Sequence, residues 1–367
     1  MGFECGIVGL PNVGKSTLFN ALLSVMQAEA ANYPFCTIEP NVGRVAVPDD
    51  RLATLAKIAG SAKIIPTQLE FVDIAGLVRG ASKGEGKGNE FLSHIRTVDA
   101  IIYVLRCFED ADIVHVEGSV DPLRDAEVIE TELMLADLDS LEKRLPAAQK
   151  RAKGGDKAVA EQVAMMERAI KVLQDGKPAS AVGPRDKAER KLLDGLQLLT
   201  SKPVMYVCNV DEGSAATGNA LSAKVEAMAA AREAPCVVVS AKIEAEIAVV
   251  PSEDEKREFL AGLGLAETGL AKVIKAGYRL LDLITYFTAG PKEARAWTIV
   301  NGTLAPAAAG VIHTDFEAGF IRAETVGYAD YVEFGGEAGA KKAGRFRLEG
   351  KEYVVQDGDV LHFRFGP

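Results

Sequence analysis

The chain has 367 residues, 48% of them hydrophobic and 26% charged, with a formal net charge of −10. The length exceeds one ordinary core and predicts two or three domains of a soluble globular protein. The negative balance excludes a surface that attracts nucleic acid on average, and no apolar run reaches membrane-spanning length, so no membrane partner is expected.

The N-terminal stretch "MGFECGIVGL" has no basic segment and no long apolar segment, so it does not read as a signal peptide. Within it "ECGIVGL" is a short apolar run ending at Gly9 and predicts a buried strand. "GKSTLFNALL" then opens a helix with Leu18 and Leu22 on its apolar face. "QLEFVDIAG" and "AIIYVLRCF" predict two further strands. From about 128 to 173 the rhythm changes. Met134, Leu138, Leu141, Leu145 and Ala148 follow a 4-3-4-3 spacing, as do Val159, Val163, Met166, Ile170 and Leu173 beyond "KGGD". Two such stripes around Gly154 and Gly155 predict an antiparallel helical hairpin, with Pro146 expected to kink or interrupt its first arm. "PVMYVCN" and "CVVVSA" return to the strand pattern. From about Asp282, "AWTIV", "GFIRAETV", "YVVQDG" and "VLHFRF" predict short strands, with "HTDFEAGF" a helical or turn segment. The fold class is therefore α/β: a mostly parallel sheet covered on both faces, an inserted helical hairpin, and a small C-terminal α+β module. The expected boundaries are 1–127 with 200–281 for the sheet domain, 128–199 for the hairpin and 282–367 for the module. Five well-separated cysteines with no Cys-x-x-Cys pair predict buried reduced thiols in a cytoplasmic protein.

Residues 9–16, "GLPNVGKS", match G-x-x-x-x-G-K-[ST] between a strand and a helix. In such a loop Gly9 and Gly14 let the backbone wrap a phosphate, and successive N–H groups face the anion. Lys15 reaches the β- and γ-phosphates and the Ser16 hydroxyl binds Mg²⁺. The cradle thus comprises Gly9, Asn12, Val13, Gly14, Lys15, Ser16 and Thr17. Asn12 either braces the loop or holds a monovalent cation such as K⁺. "DIAG" supplies Asp73 for the metal and Gly76 for the γ-phosphate, and Thr37 is the candidate for a second hydroxyl on Mg²⁺. Leu77 stands where Ras-like enzymes carry a water-orienting Gln. His115 is either a structural histidine or the group that orients water in its place.

"CNVDEG" ends the strand after "PVMYV". A guanine-reading protein usually has Asn-Lys-x-Asp there; this chain has Asn209-Val210-Asp211-Glu212. Guanine offers two donors to one Asp carboxylate. Glu212 is a methylene longer, which displaces its oxygens, and Val210 removes the lysine stem that would lie against the base. An unmet polar group at a buried base costs about 1–3 kcal/mol, so the guanine advantage should vanish. Asn209 and the Val210 backbone can then serve adenine. Ser240 and Ala241, in "VSA", form the second base-side loop.

Two basic runs stand against the net charge: 143–157, "KRLPAAQKRAKGGDK", and the cluster Lys341, Lys342, Arg345, Arg347 and Lys351. Each is either a solvated face or a contact for a polyanionic partner.

The blocks "GFECGIVGLPNVGKSTLFNALL", "ANYPFCTIEPNVG", "FVDIAGLVRGASKGEGKGNEFL", "KAGYRLLDLITYFTAGPKEARAWTI" and "AGVIHTDFEAGFIRAETV" closely resemble the YchF/Obg-like ATPase family of P-loop translation-factor proteins. The resemblance runs over essentially the whole chain and is weakest in the hairpin and after Phe334. It implies a P-loop NTPase domain with an inserted helical arm and a C-terminal TGS domain of β-grasp type. It implies an ATPase that accepts ATP, associates with the ribosome through RNA or protein, and regulates translation and stress responses. It also implies that an apolar residue such as Leu77 replaces the catalytic Gln, and that His115 serves catalysis, in addition to Lys15 and Thr37, the catalytic candidates of the loop and metal site. The rival reading is an ATP-sensing binding protein in which hydrolysis is incidental. A small-molecule kinase would need an Arg-rich lid and an acceptor pocket, whereas the basic charges here lie at the far end of the arm.

Overall fold

The computed structural model describes residues 3–30, 41–74, 87–110, 115 and 118–366. Its elements begin with β1 (Glu4–Val8), α1 (Lys15–Ala30), β2 (Val42–Ala46), α2 (Asp50–Ala59), β3 (Ile64–Ile65), β4 (Gln68–Asp73), α3 (Lys87–Thr97) and β5 (Ala100–Arg106). Next come α4 (Pro122–Ala152), α5 (Lys157–Gln174), α6 (Lys187–Gly195), β6 (Val204–Asn209), α7 (Ala220–Ala231), β7 (Cys236–Val239), α8 (Ala241–Ala248), α9 (Glu253–Gly262) and α10 (Gly269–Leu280). The chain continues with β8 (Leu283–Ala289), β9 (Ala294–Val300), α11 (Ala305–Ile312), α12 (Thr314–Ala318), β10 (Phe320–Gly327), α13 (Tyr328–Glu333), α14 (Glu337–Lys342), β11 (Arg347–Glu349) and β12 (Asp359–Phe365).

Contacts divide the chain into two units: Phe3–Gly43 with Glu70–Val273, and Arg44–Leu69 with the stretch from Ile274 onward. In the first unit, β4, β1, β5, β6 and β7 lie side by side and are all parallel. β5 is buried along its whole length, as expected for a central strand covered on both faces. The strand ends that carry Gly9, Asp73 and Asn209 therefore fall on the carboxyl edge of one sheet, where ligands of such sheets bind. Cys5, Cys107 and Cys208 are buried free thiols. Burial pushes the Cys5 thiol up to about 12, which keeps it protonated and unreactive at neutral pH.

α4 and α5 pack along each other across the turn at 153–156. Leu141, Met165, Met166, Ala169 and Leu173 form the buried seam, with Met134, Leu138, Leu145, Ala148 and Ile170 half-buried against it. The same core takes in Leu193, Leu196 and Leu198, so the segment after α5 folds back as a third layer. Pro146 does not interrupt α4, which is continuous over 31 residues. Proline removes one hydrogen bond there, but packing against α5 on either side of it holds the helix together. Asp137, fully buried on α4, accepts from Leu199 N (2.8 Å), Thr200 N (2.8 Å) and Thr200 Oγ1 (2.7 Å).

In the second unit the sheet order is β11-β10-β12-β8-β9-β3. β10 pairs antiparallel with β11 and β12, β8 antiparallel with β9, and β12 meets β8 in parallel at Val360↔Phe287. Side chains alternate across this sheet: Phe287, Val326 and Val360 join one core, and Tyr286, Ala323 and Leu361 the other. The expected strand "YVVQDG" does not form; among the described residues this segment makes an isolated bridge from Val354 to Leu304. The segment Arg44–Leu69, expected within the sheet domain at 1–127, belongs to this second unit. Leu52, Leu55 and Ala56 of α2 enter the core beside Phe287, β3 pairs with β9, and Arg51 Nη1 donates to Asp357 Oδ2 at 2.7 Å.

Candidate functional site

The phosphate loop is shaped by backbone geometry at three positions. Gly9 sits so close to its neighbours that a Cβ would meet Val104 O at 2.8 Å and Val13 Cγ2 at 2.9 Å. Asn12 and Gly14 have φ of 65° and 91°, a region that Asn tolerates and Gly favours. α1 then starts at Lys15 with no acidic residue in its first turn, so its free N–H groups face an anion without a competing carboxylate. Ser16 and Thr17 are exposed at its start.

Asp73 is carried to the loop by the parallel pairing of β4 with β1, in register at Ile7↔Asp73. Lys15 Nζ donates to Asp73 Oδ1, joining residues 58 apart in sequence. The exposed Ser16 hydroxyl and the Asp73 carboxylate are hard oxygen donors, the type that Mg²⁺ takes while keeping several waters. Thr37, Gly76 and Leu77 lie outside the described residues.

Asn209 acts as a strut between the two halves of the site. Only 4% exposed, it donates Nδ2 to Val13 O (2.9 Å), and its Oδ1 accepts from Ala241 N (2.9 Å). The phosphate loop and the start of α8 are therefore fixed to one side chain. This limits what can meet a base. The Ala241 N–H is engaged by Asn209, and the Val210 N–H is engaged by Val239 O at 2.9 Å. The second Nδ2 hydrogen of Asn209 and the Val210 carbonyl remain. Ser240 is buried, and its Oγ has no hydrogen-bond partner among the described residues. Such a group ordinarily finds one; the residue is among those that line the neighbouring cavity.

That cavity, of about 990 Å³, is lined by Asn12, Phe108, Asn209, Glu212, Ser240 and Lys242 among others. Asp211, which also lines it, caps the turn Glu212–Ser214 by accepting from Ser214 N and Oγ. Glu212 is paired with Lys242 Nζ. The segment 107–110 is shaped by Arg106, which is almost wholly buried and donates to Phe108 O (3.1 Å) and Asp110 O (3.2 Å). Its guanidinium carbon lies 4.7 Å from the Phe108 ring centroid. Phe108 and Lys242 line the site and are contributions that motif spacing did not reveal. The only available signal was that each follows the end of an apolar strand run.

His115 is buried and does not line this cavity. Its Nε2 lies 2.8 Å from Oδ2 of the fully buried Asp125, in the first turn of α4. The exposed tip residues Lys150, Arg151 and Lys153 make no ion pair among the described residues. The second basic cluster is partly neutralised: Arg347 lies 3.3 Å from Asp359, and Arg345 lies 3.7 Å from Asp330.

A glycine-lined loop between strand and helix, a lysine at the start of that helix meeting an aspartate from the neighbouring strand, and an asparagine tying the loop to the wall of an adjoining cavity define a P-loop nucleotide-binding protein of the GTPase type. Residues 4–145 match the family described as "50S ribosome-binding GTPase", and residues 283–366 match YchF-GTPase_C, described as "Protein of unknown function (DUF933)". The chain is 58% identical to the "Ribosome-binding ATPase YchF" of Haemophilus influenzae, over 100% of this chain and 99% of that one. It is 56% identical to the protein of the same name from Bacillus subtilis, over 100% of both. The solved structure of the Schizosaccharomyces pombe YchF GTPase superposes with a TM-score of 0.89 at 39% identity, covering 99% of this chain and 98% of that one. The chain belongs to the YchF family.

Proposed function

We propose that this protein is a ribosome-associated ATPase that hydrolyses ATP to ADP and phosphate as a regulatory switch in translation. The observation that carries this reading is the base-side wall, where Glu212 stands in place of Asp, Val210 in place of Lys, and the acid is already paired with Lys242. A guanine edge finds the Glu212 carboxylate already engaged there, whereas adenine can use the remaining Asn209 Nδ2 hydrogen and the Val210 carbonyl.

Ser16 and Asp73, with Thr37 as the expected third ligand, would hold Mg²⁺, which would supply neutralising charge at the phosphates. Lys15 exchanges Asp73 for the β- and γ-phosphates and stabilises the charge that spreads over the transferring group. Gly9, Asn12, Val13, Gly14 and Thr17 complete the cradle, and Gly76 contacts the γ-phosphate. K⁺ beside Asn12 is a further candidate charge. With Leu77 unable to orient water, His115 takes that role, which requires it to leave its Asp125 contact. ATP orders the Thr37 and Asp73 segments and hydrolysis releases them. The C-terminal unit is proposed to be a TGS module of β-grasp type that docks on the ribosome, and the protein to act in the cytoplasm. Among the described residues no helix is long and apolar enough to cross a membrane.

Side-by-side calorimetric titration should give ATP an affinity equal to or above that for GTP. Turnover of ATP should rise on adding ribosomes and K⁺. A hundredfold preference for GTP would overturn the proposal. Unchanged turnover would favour the second reading, an ATP-sensing binder in which hydrolysis is incidental, for which Leu77 and the two basic runs are the supporting features.

The tip of the helical arm gives a separate test of the ribosome contact. Lys150, Arg151 and Lys153 are exposed and unpaired among the described residues, as expected for a surface that meets a polyanion. Changing all three to Glu should reduce co-sedimentation with ribosomes by about tenfold or more at low salt, with ATP affinity unchanged. Undiminished co-sedimentation would remove the tip from the interface.

A further inference from the structure

The Glu212–Lys242 pair has a consequence for base choice. Lys242 lies in the first turn of α8, and the backbone around it is fixed from two sides. Ala241 N donates to Asn209 Oδ1 at 2.9 Å, and Glu244 accepts from Gly269 N (2.7 Å) and Leu270 N (3.1 Å) at the start of α10. Between these anchors the Lys242 stem crosses to Glu212, and both residues line the cavity with Asn209 and Ser240. The side chains are 71% and 45% exposed, which places the pair at the rim of the cavity.

We infer that Lys242 is a specificity-determining residue: by holding the Glu212 carboxylate, it withdraws the acceptor that a guanine edge needs and presents donors to an adenine edge. The inference rests on the proposed reading in which Glu212 meets the purine. Guanine brings N1–H and an exocyclic amine at C2, both donors. Against a lone carboxylate they would be well matched, but against a carboxylate already bound to an ammonium they must compete for its lone pairs. Adenine brings a bare ring nitrogen at N1, which a lone carboxylate repels and a neighbouring ammonium attracts. Both effects act in the same direction. Glu212 raises the pKa of Lys242, with Glu246 and Asp110 adding to the effect, so the ammonium persists across neutral pH. Because the pair is solvent-exposed, the effect should be several-fold rather than orders of magnitude.

The test is calorimetric titration of ADP and GDP, which are not consumed, against the full-length protein and its variants. Lys242→Met keeps the stem and removes the charge. It should move the affinity ratio towards GDP by about threefold to fivefold. Lys242→Arg should stay within about twofold of the parent, because the charge remains. Glu212→Ala, which leaves the ammonium facing the base alone, should move the ratio away from GDP. If Lys242→Met leaves the ratio unchanged while Glu212→Ala shifts it, Lys242 has no part in base choice, and the reading of Glu212 stands. If neither variant shifts it, Glu212 does not meet the base, and both fall. If Lys242→Met shifts the ratio as much in a Glu212→Ala background as in the parent, the lysine acts without Glu212 and the inference is overturned.

Discussion

Replacing Gly14 with alanine is expected to weaken ATP binding by about a hundredfold or more, close to 2.7 kcal/mol. Gly14 has a φ of 91°, where a Cβ is strained. The added carbon would also lie 2.1 Å from Asn209 Nδ2. That nitrogen holds Val13 O, and the same side chain holds Ala241 N. Asn209 cannot move aside without leaving buried polar groups unpaired, at about 1–3 kcal/mol each. The substitution therefore damages the phosphate loop and the base-side loop together. Calorimetric titration with ATP and Mg²⁺ measures the loss. An affinity within threefold of the parent would show that the strut does not couple the two loops. Asn209→Ala should reproduce much of the effect without the backbone strain, which separates the two causes.

Asp137→Ala should destabilise the protein by about 2–6 kcal/mol, from about 1–3 kcal/mol for each of the two buried N–H groups it leaves unpaired. The carboxylate is fully buried and receives three hydrogen bonds from Leu199 and Thr200. It ties α4 to the point where the chain returns to β6, so its loss leaves two buried backbone N–H groups unpaired at the base of the helical arm. Urea denaturation of both forms gives the difference, and a loss under 1 kcal/mol would mean that water replaces the carboxylate without cost. A pH series adds a sign. Burial raises the Asp137 pKa above its ordinary value, while the hydrogen bonds from Thr200 and Leu199 pull it down less strongly. An acid whose folded pKa is raised stabilises most below its unfolded pKa and loses that contribution as pH rises through the folded value. The stability advantage of the parent over Asp137→Asn should therefore grow on acidification from neutral pH and shrink on return. The opposite trend would indicate a depressed pKa.

These two sites link the fold to the proposed switch. Asn209 makes the nucleotide cavity one mechanical unit, and Asp137 and Asp125 secure the arm where it leaves and rejoins that unit. Asp125 also holds His115. A rearrangement at the start of α4 would thus alter the group proposed to orient water, through contacts already present in the chain.

Much of the molecule is written in local pattern. The strand-loop-helix around Gly9, Gly14 and Lys15, the apolar runs that become β1, β4, β5, β6 and β7, and the paired stripes of α4 and α5 each depend on residues a few positions apart. Periodicity and spacing encode such features directly. Pro146 shows the limit of that encoding: the local rule predicts a break, and packing against α5 overrides it. Only the tertiary structure decided that 44–69 joins the C-terminal unit, because the apolar face of α2 suits any core and its partners near Phe287 lie more than two hundred residues away. It alone decided that Asn209 braces Val13 across 196 residues, that the buried Ser240 hydroxyl is left without a partner among the described residues, and that Lys242 finds Glu212. Each of these contacts closes a loop through the folded sheet, and its energy depends on which strand ends come together in space, a distance that no short window of sequence contains.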